Sequence, residues 1–146
     1  MKIRILAIVI LTLFQNGYSQ VAVGYFPFQS VVSLSTNTEK AVWLDYKLET
    51  NSFSSNLNME ISPKWNFKRR ESVNYYVGAG IAFNPIYAFS NLPIVNGSFL
   101  DFGARIKPLK QLKNLQVVFE LSPYVNADFA GGNIRSKLGL AWNFSK

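Results

Sequence analysis

Charged side chains recur at every second position in several segments of the chain. In residues 41–50 (AVWLDYKLET), Asp45, Lys47 and Glu49 alternate with apolar residues. A period of two places alternate side chains on one face of a β-strand. Five acids and six bases share this polar face: Asp45, Lys47, Glu49, Glu60, Lys64, Asp101, Arg105, Lys107, Glu120, Arg135 and Lys137. Such a face predicts either an ion path or substrate site, or a core of ion pairs, because unpaired buried charges are very costly.

The residues most often used in catalysis are missing. The 146-residue sequence contains no His and no Cys. A general base near neutral pH would have to be a carboxylate or a lysine in an unusual environment, and a metal site would lack its commonest nitrogen and sulfur ligands. No Walker-type or dinucleotide-binding glycine pattern occurs, and the GAG of residues 78–80 lies inside an alternating segment. We therefore predict a non-enzymatic protein without a cofactor or a metal.

One segment contains oxygen ligands at close spacing. In VNADFAGGN, Asp128 lies between Asn126 and Asn133, so a weak Ca²⁺ site is conceivable. Asn, Asp and Gly are also the ordinary residues of turns. The pattern favours a turn.

The alternating segments define strands throughout the chain, and no helix-period segment competes with them. Seven polar breaks separate the strands: residues 26–30, 37–40, 51–55, 68–72, 84–97, 108–114 and 126–133. Seven breaks make eight strands if the short QVAVGY segment is the first, and its completeness is left open. An even number of strands places both termini on the same side of a barrel.

The apolar face of these strands can lie inside or outside. A soluble sandwich or lipocalin-like barrel turns it inward, whereas a transmembrane barrel turns it toward lipid. Continuous apolar faces favour lipid, as do aromatic residues near strand ends, such as Tyr25, Trp65, Phe83, Trp142 and Phe144. We predict an all-β, antiparallel up-and-down transmembrane barrel. The interior of eight strands is only wide enough for side chains, so we expect a plugged lumen; a narrow pore for ions or small solutes is the alternative.

The N-terminal residues have the order of a secretory signal peptide. Lys2 and Arg4 precede the apolar run ILAIVILTLF, and Gly17 and Ser19 are small residues before the expected cut. Ten residues are too few to cross a bilayer. We predict a signal peptide over 1–19 and the barrel over 20–146.

The C-terminal segment KLGLAWNF resembles the assembly signal of bacterial outer-membrane barrels through Lys137, Gly139, Trp142 and Phe144. Together with the alternating strands and the predicted signal peptide, this segment gives the chain a resemblance to small eight-stranded barrels of the OmpX or OmpA-barrel type. More loosely, the chain resembles uncharacterised small barrels of the Bacteroidota. The resemblance implies the outer membrane of a Gram-negative bacterium, outer-membrane lipids as surroundings, and contact with the barrel-assembly machinery during insertion. Enzymes among such small barrels rely on a catalytic His, which this chain lacks.

Two basic clusters fall at turns on the same side of the predicted barrel, FKRRES (67–72) and IKPLKQLKN (106–114). An exported protein meets no genome there, so nucleic acid is not expected as a partner. Anionic lipid headgroups or an acidic partner suit this charge, and a solvated turn is the simpler interpretation.

The break over 84–97, NPIYAFSNLPIVNG, is more apolar than a loop in water usually is. Its side chains could fold over the barrel mouth as a lid. Alternatively, Tyr87 and Phe89 could anchor another outer-membrane protein. The function we expect from these features is that of a structural or accessory subunit of an outer-membrane assembly, with the pore and a soluble periplasmic lipocalin-like binder as alternatives.

Overall fold

The computed structural model describes residues 20–50 and 57–144. Within these ranges the chain forms one 3₁₀ helix, Pro85–Ser90, and eight strands: β1 (Val21–Phe26), β2 (Val31–Ser35), β3 (Val42–Glu49), β4 (Met59–Arg69), β5 (Val73–Phe83), β6 (Val95–Ile106), β7 (Leu115–Asn126) and β8 (Gly132–Phe144). The predicted signal peptide over 1–19, the break over 51–55 and residues 145–146 lie outside the described residues. No helix in the described part of the chain is long and apolar enough to span a bilayer.

The strands form a closed barrel in chain order, with antiparallel neighbours throughout. Closure joins β1 to β8, with pairs running from Val21 opposite Phe144 to Tyr25 opposite Leu140. The prediction of an all-β, eight-stranded up-and-down barrel is therefore confirmed. The short first strand pairs with β2 on one side and β8 on the other, so it completes the ring.

The two ends of the barrel differ in the segments that they carry. One end, called here the terminal end, holds Val21 and Phe144 together with connections 36–41, 70–72 and 107–114. The other, the loop end, holds connections 27–30, 84–94 and 127–131, together with residues 50 and 57–58. The longest connection lies at the loop end, as is usual for the outer side of such barrels.

Several predicted breaks were too long, because strand pairing continues past the apolar positions. Residues Val95–Gly97, predicted as loop, begin β6, where Val95 pairs with Phe83 across a bulge. Phe26 ends β1, Lys68 and Arg69 end β4, and residues 132–133 begin β8. Backbone hydrogen bonds close the ladder regardless of side-chain polarity, so polar residues at the barrel ends do not mark where a strand stops.

Apolar side chains lie on the outer face of the strands and polar side chains on the inner face, as in a transmembrane barrel. On β8, Leu138, Leu140, Trp142 and Phe144 are exposed on the outer surface. Polar and charged side chains fill the interior, and the buried ones include Ser33, Asp45, Lys47, Ser62, Lys64, Asn66, Asn74, Asp101, Arg105, Gln116, Glu120, Ser122, Lys137 and Asn143. This is the reverse of a soluble barrel, whose apolar face is inside.

Aromatic rings inside the barrel lie against glycines on neighbouring strands. Tyr76 pairs with Gly103, and a Cβ on Gly103 would lie 2.3 Å from the Tyr76 ring. Gly80 faces Phe99 in the same way, and Gly139 makes room for the buried Phe26. Small residues are therefore required on the inner face wherever a ring must fit into so narrow a lumen.

Candidate functional site

Five strands direct eight charged side chains into the lumen, where ion pairs connect them into one network. β3, β4, β6, β7 and β8 each contribute because alternation turns every second residue inward. The network contains four acids and four bases, so it is formally neutral: Asp45, Lys47, Glu60, Lys64, Asp101, Glu120, Arg135 and Lys137.

Two lysines hold the centre of this network. Lys64 Nζ lies 2.8 Å from Asp45 and 3.1 Å from Asp101, and it also pairs with Glu120. Lys47 Nζ contacts the same three carboxylates, at 3.5 Å for Asp45 and Asp101. These five side chains have exposed fractions of 2% or less. Three carboxylates around two ammonium groups, shielded from water, interact strongly because their charges are poorly screened.

Glu120 connects this centre to its surroundings. Besides both lysines, its carboxylate lies 3.5 Å from Lys137 Nζ and accepts a hydrogen bond from Tyr76 Oη at 2.9 Å. Hydroxyl groups complete the cluster: Ser122 donates to Asp101, and Ser35 donates to Asp45 at 2.7 Å. These hydrogen bonds satisfy carboxylate oxygens that would otherwise be desolvated without partners.

Toward the loop end, Glu60 pairs with Arg135 and with Lys137, the latter at 2.9 Å. The Arg135 guanidinium lies over the ring of Tyr124, 4.6 Å from its centroid. Beyond it a polar cavity of about 190 Å³ opens, lined by Glu49, Asn58, Glu60, Ala82, Asn96, Tyr124, Asn133 and Arg135. This vestibule ends at the ion-pair network.

Toward the terminal end, the lumen is filled by aromatic and amide side chains. Arg105 stacks on Trp43, with 4.7 Å between the guanidinium carbon and the ring centroid, and donates to Gln116 Oε1 at 3.3 Å. Glu39, on connection 36–41, accepts hydrogen bonds from Gln116 and from Asn74, both at 3.1 Å, and forms an ion pair with Lys107 at 2.7 Å. The first connection of the terminal end therefore folds inward and closes that end of the lumen.

The structure brings together eight of the eleven charged residues singled out from sequence and separates three. Glu49 lies at the loop-end mouth, where it accepts a hydrogen bond from Asn58 at 2.9 Å. Arg105 contacts Trp43 and Gln116 and is connected to the network indirectly, because it donates a hydrogen bond at 3.1 Å to Ser35, which in turn donates to Asp45. Lys107 pairs with Glu39, and among the described residues neither base forms an ion pair within the network. These three residues lie farther along their strands, and the depth of a residue in the barrel depends on strand register.

Sequence reasoning missed three residues that shape the site. Trp43 and Tyr76 occupy the charged parity of their strands, with their rings 5.2 Å apart edge to face. Their positions predict that they point inward, but only the charged residues of the inward face were singled out from the sequence. Glu39 lies in a connection, where no periodicity marks a residue that points inward.

The other predicted residues occupy well-defined places. Lys137 is buried in the network, and Trp142 and Phe144 face outward at the terminal end. In the 3₁₀ helix, Phe89 is 90% exposed, whereas Tyr87 is half-buried along a groove that Leu92, Pro93 and Asp128 also line. Of the two predicted anchors, Tyr87 lines this groove and Phe89 is not among its lining residues.

The segment VNADFAGGN, with its closely spaced oxygen ligands, forms a turn around Asp128. The Ala130 amide donates to Asp128 Oδ1 at 3.0 Å, the hydrogen bond of an Asx turn. Within residues 20–50 and 57–144, no group of three or more acidic, His or Cys side chains is arranged to hold a metal ion. In the lumen network, the acidic and basic side chains pair with one another.

Comparison with known proteins supports the fold. The sequence matches no family model, and no curated protein matches it significantly. A solved structure described as a de novo designed transmembrane β-barrel superposes with a TM-score of 0.51 at 18% identity, over 86% of this chain and 92% of that one. The chain thus has the fold of a transmembrane-type eight-stranded β-barrel.

Proposed function

We propose that the chain is a bacterial outer-membrane barrel with a closed lumen that serves as a structural or accessory subunit and carries out no catalysis. The observation that supports closure is the central cluster of Lys47, Lys64, Asp45, Asp101 and Glu120, which joins strands across the lumen and is shielded from water. A permeating ion would have to separate these pairs, and separating buried pairs costs several kcal/mol.

The outer surface supports placement in a lipid bilayer. Most outward side chains of the strands are apolar, and aromatic residues lie near both ends of the barrel. Trp65, Phe67 and Tyr75 form a chain of neighbouring rings toward the terminal end, with 6.4 Å between successive centroids. Tyr25 and Phe83 lie near the loop end. Aromatic rings prefer the two interfaces of a bilayer, where their polar and apolar parts both find suitable surroundings.

Conductance in planar bilayers tests the closed lumen. Wild-type protein, refolded and verified by heat-modifiable gel mobility, should give no stepwise current. A triple variant, Asp45→Asn with Lys47→Ala and Lys64→Ala, neutralises three members of the cluster and shortens two of them, and it should introduce measurable current if it folds. Glu49→Gln, at the mouth, is the matched control and should stay silent.

Stepwise current from the folded wild-type barrel would contradict the proposal and favour the alternative of a narrow pore. A soluble binder is distinguished by a different result. If the protein stays monomeric and folded without detergent, the lipocalin-like alternative is correct and the membrane assignment is wrong.

An accessory role also needs a contact surface, and the loop end offers one. Phe28, Phe89 and Phe129 lie on three different connections, and each is at least 76% exposed. Isolated apolar residues are common on surfaces, but three phenylalanines at one end of a small barrel form the pattern of anchors that fit pockets in a partner. We infer that another outer-membrane protein contacts this end.

A further inference from the structure

A basic cleft opens at the terminal end, on the side opposite the exposed phenylalanines. It has a volume of about 250 Å³ and lies between connections 70–72 and 107–114. Its lining residues are Glu71, Ser72, Lys107, Leu109, Lys110 and Lys113. Three ammonium groups and a hydroxyl group are donors that suit phosphate oxygens.

The acidic residues nearby do not neutralise this cleft. Lys107 is engaged by Glu39 at 2.7 Å. Lys113 lies 3.6 Å from Glu71, but both side chains are largely exposed, so this pair is weak. Within the described chain, Lys110 has no carboxylate within ion-pair distance. With Glu39 included, three positive charges face two negative charges, so the cleft keeps a net positive charge, which is that of Lys110.

Apolar side chains beside the lysines point to lipid as the source of the phosphate. Leu109 and Leu112 alternate with the lysines in KPLKQLK and are each about half exposed, at 49% and 46%. Phe67 and Tyr75, on the strands that lead to connection 70–72, have neighbouring rings on the outer wall. Leucines and rings that enter the acyl region, with lysines at headgroup level, are typical of a membrane interface.

Among the described connections, those with positively charged residues all lie at this end of the barrel. The described residues of the loop-end connections include a single charged side chain, Asp128. The terminal-end connections contain Lys40, Arg70, Lys107, Lys110 and Lys113 against Glu39 and Glu71, and Lys68 and Arg69 end the adjacent β4. A charge distribution of this kind attracts an anionic leaflet on one side of the membrane only.

We propose that the cleft binds the phosphate headgroup of an anionic glycerophospholipid. Lys110 and Lys113 contact the phosphate, Ser72 donates a hydrogen bond, and Leu109 lies along the glycerol and the first acyl carbons. This inference rests on the membrane placement under the proposed function and adds a specific lipid class and a specific site.

Native mass spectrometry of the folded, detergent-solubilised full chain tests the site. The probes are dioleoylphosphatidylglycerol, dioleoylphosphatidylcholine and free glycerol phosphate. We expect wild type to retain phosphatidylglycerol in preference to phosphatidylcholine. Lys110→Gln with Lys113→Gln should weaken phosphatidylglycerol binding by about five-fold for each lysine removed. Lys40→Gln with Lys68→Gln removes the same charge from the same end outside the cleft and should change binding by less than about two-fold.

Three results would overturn the site. If both double variants weaken phosphatidylglycerol binding equally, the lipid is attracted by the general positive charge of this end and not by the cleft. If wild type binds phosphatidylglycerol and phosphatidylcholine equally, there is no site for an anionic lipid. Displacement of the lipid by equimolar glycerol phosphate would identify a site for soluble anions. Heat-modifiable folding and insertion into phosphatidylcholine vesicles are measured on the same samples. If wild type fails to insert, the proposed function fails; if it inserts without a preference for phosphatidylglycerol, only the lipid site is wrong.

Discussion

Glu120 links the two central lysines of the lumen network to Lys137. It pairs with Lys47, Lys64 and Lys137 and accepts a hydrogen bond from Tyr76. Replacing it with Gln removes one negative charge, so three acids remain against four bases and the network keeps one buried positive charge without a counter-charge. We therefore expect Glu120→Gln to destabilise the folded barrel by about 3–5 kcal/mol. Urea-induced unfolding in lipid vesicles, followed by Trp fluorescence, measures this change.

The control for that prediction is Glu49→Gln. Glu49 has the same charge and lies on the same inward face, but it is near water at the barrel mouth and bonds only to Asn58 among the described residues. We expect a cost of less than about 1 kcal/mol, in the range of exposed pairs. Similar costs for the two variants would mean that the network does not contribute to stability beyond ordinary surface charges.

At the scale of the strand, the depth of an outward residue in the bilayer should determine its tolerance to charge. Leu138 lies in the middle of β8 and Phe144 at its end. Leu138→Arg should destabilise the barrel by about 2–4 kcal/mol, whereas Phe144→Arg near the interface should cost at most about 1 kcal/mol from the added charge. Unfolding titrations in vesicles test both, and equal costs would contradict the proposed position of β8 in the membrane.

Gly139 on the same strand belongs to the predicted assembly signal, and the structure gives it a second role. A Cβ there would lie 2.5 Å from the Tyr25 carbonyl oxygen and 2.7 Å from the Phe26 ring. Gly139→Ala should therefore lower the stability of purified protein refolded without any assembly machinery, by about 1–3 kcal/mol as for other overpacked sites. Gly131→Ala, on a loop-end connection, is the control and should change stability little.

If the refolded Gly139→Ala barrel is as stable as wild type while its insertion in cells fails, the glycine acts in recognition alone. Changing Trp142 and Phe144 to Ala probes recognition without entering the lumen, since both side chains face outward. These variants should insert poorly in cells and still refold in detergent if the C-terminal segment serves as an assembly signal.

The whole molecule presents different chemistry at its two ends, with exposed phenylalanines at one and lysines at the other. We expect the triple variant Phe28→Ser, Phe89→Ser and Phe129→Ser to fold with unchanged heat-modifiable mobility and to lose a partner that wild type retains in mild detergent extracts of native membranes. Tyr87→Ser, in the half-buried groove, serves as a comparison. Unchanged co-purification, or no partner with wild type, would leave these residues as a simple lid.

The sequence by itself determined the number of strands, their order and the sidedness of each. Those properties depend on neighbouring residues in the sequence. In a strand, successive side chains such as Lys137 and Leu138 point to opposite faces, and each connection is marked by the residue types within it. Strand ends were less certain, as Val95 shows, because backbone pairing across the bulge beside Phe83 decides them.

Only the tertiary structure decided which inward residues meet. The sequence cannot distinguish Lys64 from Lys107, because the alternation places both on the inward face. In the structure, Lys64 lies at the centre of the network, whereas Lys107 pairs with Glu39. Their difference arises from depth, which depends on the register of all eight strands around the ring. For the same reason Trp43, Tyr76 and Glu39 entered the site only once closure placed β3, β5 and connection 36–41 around one narrow lumen.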